Sequence, residues 1–196
     1  MKDLKYYLLQ VNDEDSTGMY ALSLVERPAV GQTLFYAFDE DKPLVEYKFQ
    51  EAEQIITGVA MLADVPIYRK NEALGEHYIV LNKEGIKKMV EKLFKVGKFN
   101  NINLQHNDED KVNEVFLTES YFIDREKGIN PSDFKDATDG SWVVSYKVAN
   151  KELFNEIVST NKFNGFSLEG SFQYIPVDKF SETKDVFEEY INELLN

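Results

Sequence analysis

Apolar and polar residues alternate over many short stretches of this chain. That period of two predicts a strand-rich protein. Strands are expected over residues 4–10, 19–25, 34–38, 45–49, 54–62, 77–81, 101–106, 115–124 and 141–148, and over the run that begins at Phe166. The 54–62 stretch is the most continuously apolar and should cross the core. Two segments repeat at helical spacing instead. Asn82 is a plausible N-cap, followed by Ile86, Met89, Val90, Leu93 and Phe94, and Gly97 is a natural stop. Asn150 similarly precedes Leu153, Phe154, Ile157 and Val158. A third amphipathic stripe, Val186, Phe187, Tyr190, Ile191 and Leu194, predicts an acidic helix over 181–195. The pattern as a whole predicts an α+β fold, organised as an N-terminal strand-rich extension (1–50), a main domain (51–178) and a C-terminal helix (179–196).

The run 161–170 carries the most chemistry. Phe166, Leu168, Phe172 and Tyr174 mark an apolar face, interrupted at Gly170, while Ser167, Glu169, Ser171 and Gln173 share the other. A serine there becomes a nucleophile only with a base in reach. The chain has two histidines. His77 reads as a strand residue. His106 ends the alternating 101–106 run on the side of Ile102 and Leu104, at the rim of a buried surface. Residues 107–113 read as a charged turn, with Asp108, Glu109 and Asp110 as its solvated face. The next strand holds Glu119 among apolar neighbours, where a carboxylate needs a partner. Strands that follow one another tend to pair, so Glu119 is expected beside His106. A hydroxyl, an imidazole and an acid from separate strands are the parts of a serine-hydrolase site. The third member stays open: Glu119 is the first choice, with Glu169 and Asp108 as alternatives. Glu169 shares the face of Ser167, but two residues along a strand place it ~7 Å away at the backbone.

Composition narrows the class further. There is no cysteine, which excludes a disulfide framework, a thiolate metal site and a cysteine nucleophile. The 35 acidic residues against 22 basic ones give a net charge of −13, which disfavours nucleic acid and anionic membranes as partners. No apolar run is long enough to span a bilayer, and Met1–Tyr6 does not read as a signal peptide. The acidic turn at 13–15 lacks the spacing of a calcium loop, and Asp136 with Asp139-Gly140 is only a weak signal for a cation site. No metal or cofactor is expected. The Gly-x-Ser-x-Gly elbow is absent, because Glu169 stands two residues after Ser167.

Several blocks occur in a telling order. They are 58–69 (GVAMLADVPIYR), 103–107 (NLQHN), 117–124 (LTESYFID), 140–148 (GSWVVSYKV) and 165–170 (GFSLEG), with LSLVERPA at 22–29 upstream. Together they resemble the prohead proteases of tailed phages, most closely the phage serine proteases of the XkdF type, over nearly the whole chain and most strongly over 54–175. The resemblance implies a small, mostly antiparallel β-barrel flanked by helices, similar to the herpesvirus assemblins. It implies Ser167 as nucleophile and His106 as base, with Glu119, Glu169 or Asp108 completing the set and Arg125 a candidate oxyanion donor. It further implies capsid and scaffold proteins as substrates, self-cleavage and possible self-association, inside a procapsid in the host cytoplasm. A non-enzymatic capsid assembly or scaffolding protein on the same fold is the alternative.

Overall fold

The computed structural model describes residues 4–12, 17–25, 48–104, 106–112, 114–160 and 165–177, without the side chains of 108–111, 159 and 160. The chain runs β1 (Lys5–Gln10), β2 (Gly18–Val25), β3 (Lys48–Gln50), β4 (Ile55–Met61), β5 (Ile67–Asn71), β6 (Gly75–Val80), α1 (Lys83–Lys95), β7 (Ile102–Leu104), β8 (Asn107–Lys111), β9 (Val115–Phe122), β10 (Trp142–Val148), α2 (Lys151–Thr160), β11 (Gly165–Ser171) and β12 (Gln173–Val177). The α+β expectation holds. The strands form three four-stranded sheets, ordered β12-β1-β6-β5, β3-β4-β10-β9 and β11-β2-β7-β8.

The barrel is a correction: among the described residues the sheets do not close on one another. Each keeps two edges, and the chain passes between sheets instead of completing one ladder. Between β11 and β12 the passage is a single residue, Phe172. Gly170 makes the bend possible. A Cβ there would lie 2.6 Å from the Gly18 carbonyl oxygen and 2.5 Å from the Phe172 ring, and the β11–β2 register shifts between Glu169 and Gly170. Among the described residues, two of the nine strand pairings, β1–β6 and β2–β7, are parallel. The residues expected as an N-terminal extension behave otherwise: β1 and β2 are inner strands of two sheets. The predicted strand at 34–38 and helix at 181–195 lie outside the described residues.

The two predicted helices that fall within the described residues form with the caps that the sequence offers. The Asn82 side chain accepts from the Gly85 N–H at 2.8 Å and that of Asn150 from Leu153 N–H at 2.9 Å. Gly97 adopts a φ of 71° just past α1, as a left-handed stop. Ile86, Met89 and Leu93 on α1 are fully buried. They join Leu22, Leu24, Ile56, Met61, Trp142, Tyr146 and Phe166 in one large core, which seats α1 against β2. A smaller cluster around Leu62, Ile123 and Val143 closes the other side of β4 and β10. Two strands run against the sequence pattern. Residues 107–111 form β8 despite being read as a turn, because the preceding two-residue loop folds them back onto β7. Residues 67–71 form β5, an edge strand whose polar end hides its period.

Gly170→Ala should destabilise the protein by about 1–3 kcal/mol, the usual range for overpacking against a backbone atom that cannot move away. Denaturant unfolding checks this. An unchanged midpoint would show that the bend tolerates a side chain.

Candidate active site

The third sheet assembles the site. Ser167 of the edge strand β11 lies directly opposite Ser23 of β2, and Ser23 opposite Asn103 of β7. Residues opposite one another in a ladder project from the same face. One face therefore carries Ser167, Ser23 and Asn103 in a row, with Glu169 two residues further along β11. Glu169 sits opposite Ala21. The small methyl leaves room for the glutamate to lean diagonally, and a cross-strand diagonal of ~7–8 Å is within reach of a long side chain.

The carboxylate is met there by three donors. Asn103 Nδ2 donates to Glu169 Oε1 at 2.6 Å. The Ser23 hydroxyl donates to the same oxygen through a short bond. His106 Nδ1 lies 3.3 Å from that oxygen and 3.0 Å from Ser23 Oγ. Two acceptors converge on Nδ1, so that nitrogen carries the hydrogen. In the neutral ring Nε2 then carries the lone pair, and it has no hydrogen-bond partner among the described residues. The imidazole is 45% exposed and the glutamate side chain 12%, so the ring can face a ligand while its orienting acid stays sheltered. Burial pushes the Glu169 carboxyl up. The bonds from Ser23, Asn103 and His106, with the charge of His106, outweigh it and hold the group below its ordinary value.

His106 reaches this face through a turn. It closes the loop between Leu104 and Asn107 with a φ of 61°, a left-handed conformation that histidine tolerates better than most residues. The turn breaks the strand parity, so the ring joins the Asn103 face and not the Ile102–Leu104 face that alternation suggested.

Ser167 is 7% exposed and Ser23 fully buried. The Ser167 hydroxyl makes no side-chain hydrogen bond among the described residues. Its cross-strand neighbour Ser23 holds the imidazole, so the row places hydroxyl and ring over one patch of sheet.

Glu119 is elsewhere, and its expected pairing with the His106 strand is a correction. β9 pairs with β10 in the second sheet. The exposed Glu119 carboxylate accepts from Ser145 Oγ at 2.7 Å, which also meets Thr57 Oγ1 at 2.9 Å. This polar ladder of three register neighbours satisfies the acid without His106. Of the alternatives, Glu169 meets the ring, and the Asp108 side chain lies outside the described residues. Arg125 is tied to its own loop, donating to Ala137 and Lys135 carbonyls and pairing with Asp139 at 3.5 Å. His77 is fully buried in a cage with Tyr7 and Tyr174. Among the described residues no group of acids and histidines is placed to hold a metal ion. Sequence reading missed Ser23 and Asn103. The only signal for either was a polar residue in an otherwise apolar strand.

Two hydroxyls, an imidazole with one nitrogen anchored and a sheltered carboxylate thus share one sheet face of an α+β scaffold. The chain belongs to the family described as "Putative phage serine protease XkdF", which matches residues 44–175 and so includes Asn103, His106, Ser167 and Glu169. No curated protein and no solved structure matched the chain.

Glu169 also sets a pH dependence. Its folded pKa lies below the ordinary 4.5. The stability it contributes is therefore complete above that value and lost as the pH falls through the lowered folded value. Wild type should lose stability relative to Glu169→Gln on acidification below about pH 4.5, by urea unfolding at stepped pH. A gap that widens in favour of wild type would contradict the arrangement.

Proposed function

We propose that the protein is a prohead maturation protease, an endopeptidase that cuts segments of scaffold and capsid protein, and itself, inside the assembling procapsid in the host cytoplasm. Ser167 is the nucleophile, His106 Nε2 the general base, and Glu169 the acid that orients the ring, in place of Glu119. The observation that carries this reading is the anchoring of Nδ1 by Ser23 and Glu169. It leaves Nε2 as the one ring position able to take a proton. In the acylation step Ser167 Oγ attacks the scissile carbonyl while His106 takes its proton. The imidazolium, stabilised by Glu169, then protonates the departing amine. Water repeats the sequence to release the acyl group.

Two facts favour Ser167 over Ser23 as nucleophile. Ser23 is fully buried, where no substrate carbonyl can reach it, and its proton already goes to Glu169. It is instead a positioning residue, a hydroxyl bridge between ring and acid. Enclosure with the substrate replaces tight binding, because local concentration in a procapsid is high. The isolated chain should accordingly turn over free peptides slowly.

Co-expression with capsid and scaffold proteins tests the assignment. Ser167→Ala should abolish processing while particles still assemble. Ser23→Ala should slow it about 10- to 100-fold, as loss of a residue orienting a reacting imidazole typically does, with a smaller change in KM than in kcat. A fluorophosphonate probe should mark Ser167. Labelling at Ser23, or processing that survives Ser167→Ala, overturns the assignment. Assembly that depends on the chain, with no processing in wild type, would favour the scaffolding alternative.

A further inference from the structure

The opposite side of β11 carries a separate pocket. Leu168, between Ser167 and Glu169 in sequence, points away from them into a cavity of about 180 Å³. Met61, Ile67, Ile79, Leu81 and Phe172 supply its apolar walls, and Arg69 and Tyr174 lie at its polar end. An apolar cavity of ~150 Å³ accepts a benzene-sized group, so this one suits a single bulky side chain.

Arg69 is the unusual member. Its guanidinium is half-buried on edge strand β5 and makes one hydrogen bond, from Nη1 to the Tyr68 carbonyl at 3.1 Å. No carboxylate pairs with it among the described residues. Burial lowers its pKa, with the neighbouring Tyr174 working in the other direction, yet an arginine stays charged. A partly desolvated cation beside apolar walls calls for an anion, and a guanidinium matches a carboxylate with two parallel bonds.

We propose that this pocket binds the C-terminal residue of a peptide, an apolar side chain in the cavity and its free carboxylate on Arg69. Peptide cleavage creates such an end, so the origin of the ligand rests on the protease reading, whereas the binding itself does not. Leu168 connects the pocket to the site, since it lines the cavity from the residue between nucleophile and orienting acid. An occupied pocket holds that stretch of β11 in place, and a retained product end keeps the cut chain at the enzyme.

The test uses the full-length chain, ¹⁵N-labelled, titrated with N-acetyl-leucine and separately with N-acetyl-leucinamide at pH 7. The acid should shift the amide signals of Leu168, Gly170, Phe172 and Arg69. It should bind about tenfold or more tightly than the amide, the ratio expected of one charge-assisted bond. Arg69→Met should bring the acid down to the affinity of the amide, Arg69→Lys should retain part of the difference, and Ser167→Ala should change neither. Equal binding of acid and amide to wild type overturns the proposal, as does the absence of shifts at millimolar ligand or their appearance around His106 instead. The wild-type comparison needs no variant to fold. It also reads binding alone, so its failure leaves the protease assignment standing.

Discussion

A nearly buried carboxylate must find donors or lose its charge, and that constraint organises the third sheet. Glu169 Oε1 takes hydrogen bonds from Ser23 and Asn103 and lies 3.3 Å from His106 Nδ1. These groups come from β2, β7 and the turn after β7, so the acid is satisfied only when three separate segments are in register. Desolvation by itself would favour the neutral acid. The donors reverse that preference, and the lowered pKa of the group records the outcome. The imidazole acquires its orientation as a consequence: a ring that helps to satisfy Glu169 with one nitrogen must turn the other away from it.

The scaffold behind this arrangement is rigid for ordinary reasons. β2 is buried on both faces except at Tyr20. One side receives α1 and the large core, and the other presents the Ser23 row. The bulge at Glu169–Gly170 then bends β11 away toward the first sheet. A single strand therefore gives its polar face to the candidate chemistry and its apolar face, through Phe166 and Leu168, to the core and the pocket. A shift of one residue in this register would exchange the two faces. It would take Glu169 away from Ser23, Asn103 and His106 and turn Phe166 and Leu168 toward those polar groups. The polar and apolar requirements thus enforce the same alignment.

How much of this was legible in the sequence depended on whether a signal was local. Helix stripes and caps are local, so Asn82, Gly97 and Asn150 were found where they act. Alternation marked most strands, and the Ser167–Glu169 face was read correctly. What failed was everything set by pairing. Glu119 was placed beside His106 because sequential strands tend to be neighbours, yet β9 joined β10, and Ser145 satisfied its carboxylate instead. His106 was placed on the Ile102 face because alternation cannot register a residue with φ of 61°. Glu169 reads in sequence as an alternative behind Glu119 because of its ~7 Å backbone offset along one strand. The relevant path runs diagonally to the next strand, over the small Ala21. Ser23 shows only as a polar residue in an apolar strand, since a lone serine in LSLV acquires meaning from what stands opposite it.

Ser23 also bears on what the functional unit is. The family match spans 44–175 and holds the proposed nucleophile, base and acid. The residue that bridges base to acid lies outside it, on a strand contributed by the first 25 residues. That strand separates β11 from β7, so without it the Ser167 strand would have no partner next to the His106 turn. The hydroxyl and the imidazole are brought to one face only through β2. The matched segment thus contains the residues of the proposed site but not the strand that joins them, and β2, which reads in sequence as part of an N-terminal extension, is the element across which Ser167 and the His106 turn are aligned.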